Sequence, residues 1–172
     1  KQIEKLVNEF SDFARMPKPI FRQNNLVDLI NDNIKLLKEL DNSIKINFSS
    51  SSDKILLESD KEQISRVFLN LIKNSIESIN QKSQKNSNFN KKITIELIQY
   101  DSHITTIIED NGIGFSELKK NIKDILNPYF TTKKNGTGLG LSIVNKIVND
   151  HNGKIDFIPI ENGAKIKIDF IK

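Results

Sequence analysis

Cysteine is absent from the chain, which excludes disulfide bonds and thiolate metal sites and leaves packing alone to stabilise the fold. Long apolar runs are absent too, since no stretch approaches the length of about 18–20 residues that a membrane span needs. The first residues, Lys1-Gln2-Ile3-Glu4, lack the pattern of a signal peptide. We therefore expect a soluble protein from a reducing compartment, with no membrane contact of its own.

A concentrated basic surface is missing as well. The formal net charge is +4, but the lysines are scattered among isoleucine, asparagine and serine and form no stripe with aromatic residues between them. This distribution indicates a solvated surface and argues against a nucleic-acid partner. With 37% hydrophobic residues, the 172-residue chain has enough apolar side chains for one compact domain and a short appendage.

The appendage is the N-terminal segment. Apolar residues recur at helical spacing over residues 1–16, which predicts a helix that ends before Pro17. The sequence Pro17-Lys18-Pro19 then predicts a stiff break. We therefore expect the appendage to span residues 1–19 and the main domain to span residues 20–172.

The first half of the main domain alternates between helical and extended periods. A second amphipathic helix is predicted over residues 24–40, a strand over 44–48, a polar turn over 49–52 and a short extended run over 55–58. A long helix follows over residues 60–80, with isoleucine, leucine, valine and phenylalanine on one side. Its other side carries polar residues at offsets of three, four and seven, namely Arg66, Asn70, Lys73, Asn74 and Glu77.

The second half begins with a polar, low-complexity stretch over residues 81–91, interpreted as a mobile loop without function. Two antiparallel hairpins are predicted, one from residues 93–97 and 104–109 and one from residues 154–158 and 164–170. A helix is predicted between them, over residues 141–151, and Asn152-Gly153 directly after it suits a C-cap. Helices and mostly antiparallel strands in this order predict a two-layer α+β sandwich.

Three segments are polar or rich in glycine where a scaffold alone has no such need. The first is the polar side of the 60–80 helix, where a neutral asparagine oxygen can complete the shell of a Mg²⁺ ion held on phosphates. Taken alone, Asn70 and Asn74 are better interpreted as solvated surface residues.

The second segment is Asp110-Asn111-Gly112-Ile113-Gly114, at the end of a predicted strand. A carboxylate there can accept from an exocyclic amine, and glycine lets a ligand approach the backbone, although many such segments only turn the chain. The third is Gly136-Thr137-Gly138-Leu139-Gly140-Leu141, which opens a helix whose N-terminal amides suit phosphate. It has neither the Gly-Lys-Ser/Thr of a P-loop nor the strand context of a Rossmann fingerprint.

Together, in this order and spacing, the three segments resemble the N, G1 and G2 boxes of the histidine kinase catalytic domain, in the ATPase superfamily shared with gyrase, Hsp90 and MutL. Asn127-Pro128-Tyr129-Phe130-Thr131-Thr132-Lys133 resembles the F box of that family. The resemblance covers about residues 60–155. It implies a Bergerat-type α/β sandwich, preceded here by a fragment of a dimerisation helix.

Carried over residue by residue, the resemblance implies that Asn74 ligates Mg²⁺, with Asn70 and Lys73 near the phosphates. Asp110 would accept from the adenine amino group, while Gly112 and Gly114 would let the base lie against the backbone. A mobile lid over the triphosphate would contain Thr132, Lys133, Gly136, Thr137, Gly138, Leu139 and Gly140. Among these residues Lys133 would join Asn70 and Lys73 in assisting phosphoryl transfer.

The subgroup is indicated by two features. Glu77 replaces a lysine that is common at this position, and the segment over residues 8–17 resembles the end of the second dimerisation helix in nitrogen-regulation kinases, especially NtrY-like kinases. The phosphoacceptor histidine is expected upstream of Lys1. The two histidines present, His103 and His151, lack the acidic partner and helical context of that motif and are interpreted as structural.

The resemblance implies transfer of the ATP γ-phosphoryl to the upstream histidine and then to an aspartate on the receiver domain of a response regulator. The complete kinase would be a homodimer, anchored in the bacterial inner membrane with this domain in the cytoplasm. Two alternatives stay open: a stand-alone ATP hydrolase, or a nucleotide-binding module that acts through protein contacts. The hydrolases of the superfamily place a glutamate general base where this chain has Asn70, whose amide cannot take a proton at neutral pH.

Overall fold

The fold is seen in a computed structural model that describes residues 7, 11, 15–84, 89–115, 125–129, 131 and 136–172. In chain order its elements are β1 (Arg22–Asn25), α1 (Leu26–Leu40), β2 (Lys45–Ser50), β3 (Leu56–Ser59), α2 (Lys61–Ser83), β4 (Lys92–Gln99), β5 (His103–Asp110), α3 (Gly140–Asp150), β6 (Gly153–Ile158) and β7 (Ala164–Ile171). The predicted helix over residues 1–16 falls mostly outside the described residues.

Five strands form one sheet in the order β2-β4-β5-β7-β6, and β1 pairs with β3 in a separate two-stranded sheet. The pairs β4–β5 and β6–β7 are antiparallel, which confirms both predicted hairpins. The link between these hairpins is the antiparallel pair β5–β7, whereas β2 joins β4 in parallel.

The three helices pack on the sheet to form the second layer. Strand alternation turns Ile93, Ile95 and Leu97 of β4 into the core, where each is at most 1% exposed. The opposite face of the sheet is polar and carries ion pairs such as Lys165 Nζ to Glu109 Oε2 at 3.0 Å. The predicted two-layer α+β sandwich is confirmed.

No helix in the described part of the chain combines the length and apolarity that a bilayer crossing requires.

Strand β1 was not predicted, and it displaces the start of the second helix from residue 24 to Leu26. Its sequence, Arg-Gln-Asn-Asn, has no apolar alternation, and the strand depends on antiparallel pairing with β3, where Arg22 lies opposite Ser59. Asn25 ends the strand and caps the helix, because its Oδ1 accepts from the N–H groups of Val27 at 3.2 Å and Ile55 at 3.0 Å.

Two further boundaries differ from the predicted ones. Ser49 and Ser50 belong to β2 and not to a turn, since both pair with residues of β4. Helix α2 runs to Ser83, so the first three residues of the predicted 81–91 loop are helical. In both places long-range partners override the local polar composition.

Candidate functional site

A cavity of about 470 Å³ lies where the polar side of α2, the end of β5 and the start of α3 meet. This volume is within the range of small-molecule sites, which is about 300–1,000 Å³. All three segments singled out from the sequence contribute to its lining, through Asn70, Lys73, Asn74, Asp110, Gly114, Gly136, Thr137, Gly138 and Gly140. The predicted site residues that the structure brings together therefore come from segments up to 70 positions apart in the chain.

Helix α2 supplies the longest wall of the cavity. Its apolar side is buried, and the 3.6-residue period places Arg66, Asn70 and Lys73 on the side that faces the cavity. Asn70 and Lys73 make no side-chain hydrogen bond to any other described residue. A Cβ atom built on Gly140 would lie 3.7 Å from Asn70 Oδ1, so the polar side of α2 directly adjoins the start of α3.

Asp110 is 5% exposed, and it closes the deep end of the cavity. Its Oδ1 accepts from the N–H of Gly112 at 2.9 Å, and the Ser75 hydroxyl and the Ala164 N–H also donate to the carboxylate. Burial raises the pKa of the Asp110 carboxyl above its usual value, although these donors and the charge of Lys82 pull it the other way. The result is a buried acceptor whose neighbouring donors are all fixed by the fold.

The glycines after Asp110 are needed for close packing. A Cβ atom on Gly112 would collide with Ser78, and Gly114 has φ +68° while packing against the backbone of Gly163. Gly114 lines the cavity, whereas Gly112 does not. Gly112 thus acts from behind the site, where it lets the turn after β5 approach α2.

The turn after β5 is fastened to the last two turns of α2. Lys82 Nζ donates to the carbonyl oxygens of Asn111 at 2.9 Å and Gly112 at 3.1 Å, and Ser78 Oγ accepts from the N–H of Ile113 at 3.0 Å. The interpretation of residues 81–91 as a mobile loop is therefore wrong for Lys82. The sequence does carry a signal, since Asn74, Ser78 and Lys82 recur at intervals of four on one helix face.

The start of α3 forms the opposite end of the cavity. Its N-cap residue, Leu139, makes no capping hydrogen bond through a side chain, so no N-cap side chain competes with a ligand for the first N–H groups of α3. Gly140 and Leu141 of this turn line the cavity. Leu139 itself is fully buried in the core and positions the turn from beneath.

The predicted F box is partly described. Tyr129 donates its N–H to the Gly138 carbonyl at 3.1 Å, which ties this box to the G2 box. Gly138 has φ +71°, and the backbone of Tyr129 leaves no space for a Cβ there. Thr132 and Lys133, both predicted lid residues, lie outside the described residues.

The two histidines lie away from the cavity lining. His151 is 3% exposed; its Nε2 accepts from the Asp60 N–H at 3.0 Å and its Nδ1 donates to the Ile147 carbonyl at 2.7 Å. His103 begins β5 and stacks on Tyr100, with 4.6 Å between ring centroids.

The sequence profile of the family described as histidine kinase-, DNA gyrase B-, and HSP90-like ATPase matches residues 59–171. A putative sensor histidine kinase, NtrY-like, from Rickettsia prowazekii (strain Madrid E) is 38% identical over 170 residues, which is 98% of this chain and 27% of that protein. The nitrogen regulation protein NtrY of Azorhizobium caulinodans is 31% identical over 169 residues, 96% of this chain and 21% of that protein. The chain thus spans about a quarter of the length of these relatives.

Solved structures of histidine kinases are also similar to this chain. The nucleotide-free catalytic domain of the histidine kinase ThkA is 31% identical, with a TM-score of 0.76 over 89% of this chain and 98% of that domain. ThkA in complex with the response regulator TrrA is 27% identical, with a TM-score of 0.79 over 99% of this chain and 47% of that chain. The chain belongs to the histidine kinase-, DNA gyrase B- and HSP90-like ATPase family and, within it, is similar to the catalytic domains of NtrY-like sensor histidine kinases.

Proposed function

We propose that this domain binds Mg²⁺ and ATP and directs the γ-phosphoryl to a histidine on a dimerisation helix upstream of residue 1. The phosphoryl then passes to an aspartate of a response regulator. The observation that carries this proposal is one cavity that joins a buried carboxylate, an amide-rich helix face and a helix N-terminus without an N-cap side chain. These are the complements of an amino group, a metal-bound phosphate and an anion.

The deep end of the cavity suits adenine. Ile113, Phe115 and Ile143 contribute apolar lining, and Asp110 is the only buried carboxylate among the described lining residues. A buried carboxylate can accept a hydrogen bond from an exocyclic amino group, whereas the carbonyl oxygen of guanine would face it with repulsion. Adenine is therefore the base that this end of the cavity favours.

The opposite end suits the phosphates. Arg66 and Lys73 bring positive charge, the first turn of α3 brings N–H donors that no N-cap side chain occupies, and Asn74 brings one neutral oxygen ligand. No group of three or more histidine, aspartate or glutamate side chains that could hold a metal ion occurs in the described ranges. A Mg²⁺ ion held by Asn74 and phosphate oxygens fits this lining, and it would neutralise charge on the triphosphate.

The nucleophile comes from outside the cavity. His151 uses both ring nitrogens within the fold, and His103 is at the far turn of the sheet, so neither faces the phosphate end. The complex of ThkA with a response regulator supports a receiver domain as the downstream partner. The longer protein is proposed to form a homodimer and to be anchored in the membrane. Both parts of the proposal rest on the resemblance to NtrY-like kinases.

The alternative of a stand-alone hydrolase is disfavoured by Asn70, because an amide at this position cannot activate water. Because neither His103 nor His151 faces the phosphate end, the chain itself should acquire no acid-labile, base-stable label from ATP. It should nevertheless phosphorylate a separately supplied dimerisation hairpin that carries the upstream histidine. The transfer should be slow and should rise with hairpin concentration, since separation removes an effective concentration in the ~mM range.

Labelled ATP followed on a neutral gel tests the proposal, with a hairpin whose histidine is replaced by alanine as the control. Label on the chain itself would contradict the assignment of His103 and His151. An unlabelled hairpin at high concentration, with nucleotide binding intact, would favour the binding-module alternative.

A further inference from the structure

The ammonium of Lys82 lies beneath the turn that carries the G1 box. It donates to two successive carbonyl oxygens, those of Asn111 and Gly112, at 2.9 and 3.1 Å. It also lies 4.9 Å from the centroid of the Phe89 ring, a distance at which a cation is attracted to an aromatic face. A half-buried lysine with three such contacts is held in one place.

These contacts fix two peptide planes. The Asn111 carbonyl shares a rigid plane with the N–H of Gly112, which points the other way and donates to Asp110 Oδ1 at 2.9 Å. The Gly112 carbonyl shares a plane with the N–H of Ile113, which donates to Ser78 Oγ at 3.0 Å. Lys82 therefore determines the orientation of both peptide groups, and one of them hydrogen-bonds the carboxylate of Asp110.

The turn needs such a restraint because glycine alone does not provide one. Gly112 must lack a Cβ to pack against Ser78, and the same lack lets the flanking peptide groups rotate at low cost. A charged donor on a carbonyl is roughly twice as strong as a neutral one. In addition, the charge of Lys82 favours the ionised form of the buried carboxylate.

We propose that Lys82 is a positioning residue for base recognition: it locks the two peptide planes of the G1 turn so that Asp110 presents a fixed acceptor to adenine. This inference rests on the proposed adenine-nucleotide function. A purely structural lysine near a helix end would instead affect folding alone.

Lys91 provides a matched control. It is also part-buried near the end of α2 and also bonds two acceptors, Ser43 Oγ at 3.2 Å and Asn80 Oδ1 at 2.8 Å, but it does not touch the G1 turn. The variants K82M and K91M each remove one charge and two hydrogen bonds. They differ in whether those bonds restrain Asp110.

Calorimetry with ADP and with GDP, in the absence of Mg²⁺, separates a role in positioning Asp110 from a role in stabilising the fold. K82M should bind ADP about tenfold more weakly and lose a similar factor in the ratio of ADP to GDP affinity, because a charge-assisted restraint on the base acceptor is gone. K82R, which keeps charge and donors, should recover most of that ratio. K91M should lower the melting temperature and leave the ratio unchanged.

A second variant covers the case in which K82M does not fold. S78A removes Ser78 Oγ, the acceptor of the Ile113 N–H, which lies in the same peptide plane as the Gly112 carbonyl that Lys82 bonds. It should lower the ratio of ADP affinity to GDP affinity by about threefold through the same turn. An unchanged ratio in both K82M and S78A, or in S78A where K82M is unfolded, would overturn the role of Lys82. Failure of the wild-type chain to bind ADP at all would instead overturn the proposed function, and this inference with it.

Discussion

Two polar regions of this domain share helix α2 but use their polar groups differently. Around the start of α2, which we term the linker end (Pro17, Ile20, Asp60, Gln63 and His151), hydrogen bonds join side chains and backbone within the chain. Asp60 Oδ2 accepts from the Ile20 N–H at 2.9 Å and Gln63 Nε2 donates to the Pro17 carbonyl at 3.0 Å. Along the cavity wall, by contrast, Asn70 and Lys73 make no side-chain hydrogen bond to a described residue.

The difference shows how to distinguish a structural polar group from a binding one. A buried polar group without a partner is costly, so most polar groups that serve only the fold are paired inside it; at the linker end the exception among the described residues is Gln63 Oε1. Groups that bind a ligand must keep hydrogen-bonding capacity for it. On this basis, changes at the linker end should reduce stability, whereas changes around the cavity should reduce nucleotide binding.

The largest effect is expected from Asp110→Ala, which removes the base acceptor. ADP binding should weaken by roughly 10–150-fold, because a hydrogen bond to a charged group is worth about 1.5–3 kcal/mol. Calorimetry measures the change. Glu109→Ala is the control, since Glu109 is the adjacent carboxylate, lies on the opposite face of β5 and pairs with Lys165.

An unchanged ADP affinity in Asp110→Ala, or an equal preference for GTP in the wild-type chain, would reject the adenine role. A drop of the same size in Glu109→Ala would mean that charge near β5, and not contact with the base, controls affinity.

The linker end should give the next largest effect, and on stability. Asp60→Ala removes the N-cap of α2 and the acceptor for the Ile20 N–H, so the free energy of unfolding should fall by about 1–3 kcal/mol. Denaturant unfolding gives this value, with Asp53→Ala on an exposed bend as the control. ADP affinity well below the unfolding midpoint should be unchanged, and a loss of affinity would show that the two regions are coupled.

Asp60 should also make the stability of the domain depend on pH. Burial raises the pKa of Asp60, but the backbone N–H groups of Ile20, Gln63 and Glu62 donate to it and bring its pKa below the usual value. A lowered folded-state pKa stabilises the domain above the unfolded value of about 3.9, and this contribution is lost as pH falls through the folded value. The stability difference between wild type and Asp60→Asn should therefore shrink below about pH 4, and a difference that stays constant would contradict the assignment.

The third effect is confined to the Mg²⁺ dependence of ATP binding. Asn74→Ala should abolish the tightening of ATP binding by Mg²⁺, because it removes the only side-chain ligand assigned to the ion. Titrations with and without Mg²⁺ measure the ratio of the two dissociation constants. Asn80→Ala is the matched control on the same helix, since Asn80 bonds Asp41 and Lys91 away from the cavity. Identical metal dependence in Asn74→Ala and wild type would refute the assignment.

The two regions also differ in how far the sequence predicts them. Alternation and helical period predicted both hairpins, α2 and its polar face. The three cavity segments were found from their polar or glycine-rich composition, and their order and spacing gave the family resemblance. The linker end was missed, because Asp60 and His151 are 91 residues apart in the chain and nothing local signals their hydrogen bond. Lys82 was missed because its polar neighbours favour a loop and outweigh the four-residue spacing from Asn74 and Ser78, and because the carbonyl groups that it bonds are 29 and 30 residues away in the chain.

The smallest expected effect is on ATP hydrolysis, and it tests whether another residue of the cavity acts as a general base for water. Asn70 cannot take a proton, and Glu77, one helical turn beyond Asn74, is the other carboxylate besides Asp110 in the described lining. Glu77 is exposed to solvent and lies on the opposite side of Asn74 from the position where hydrolases of this superfamily place their glutamate. Phosphate release should therefore be far slower than about 1 s⁻¹ in the wild-type chain, and Glu77→Gln should leave it unchanged.

Asn70→Glu is the informative companion, because it places a carboxylate at the superfamily position and should raise the rate of phosphate release. A coupled phosphate assay at saturating ATP measures all three proteins, and turnover near 1 s⁻¹ that Glu77→Gln abolishes would move this domain into the hydrolase class.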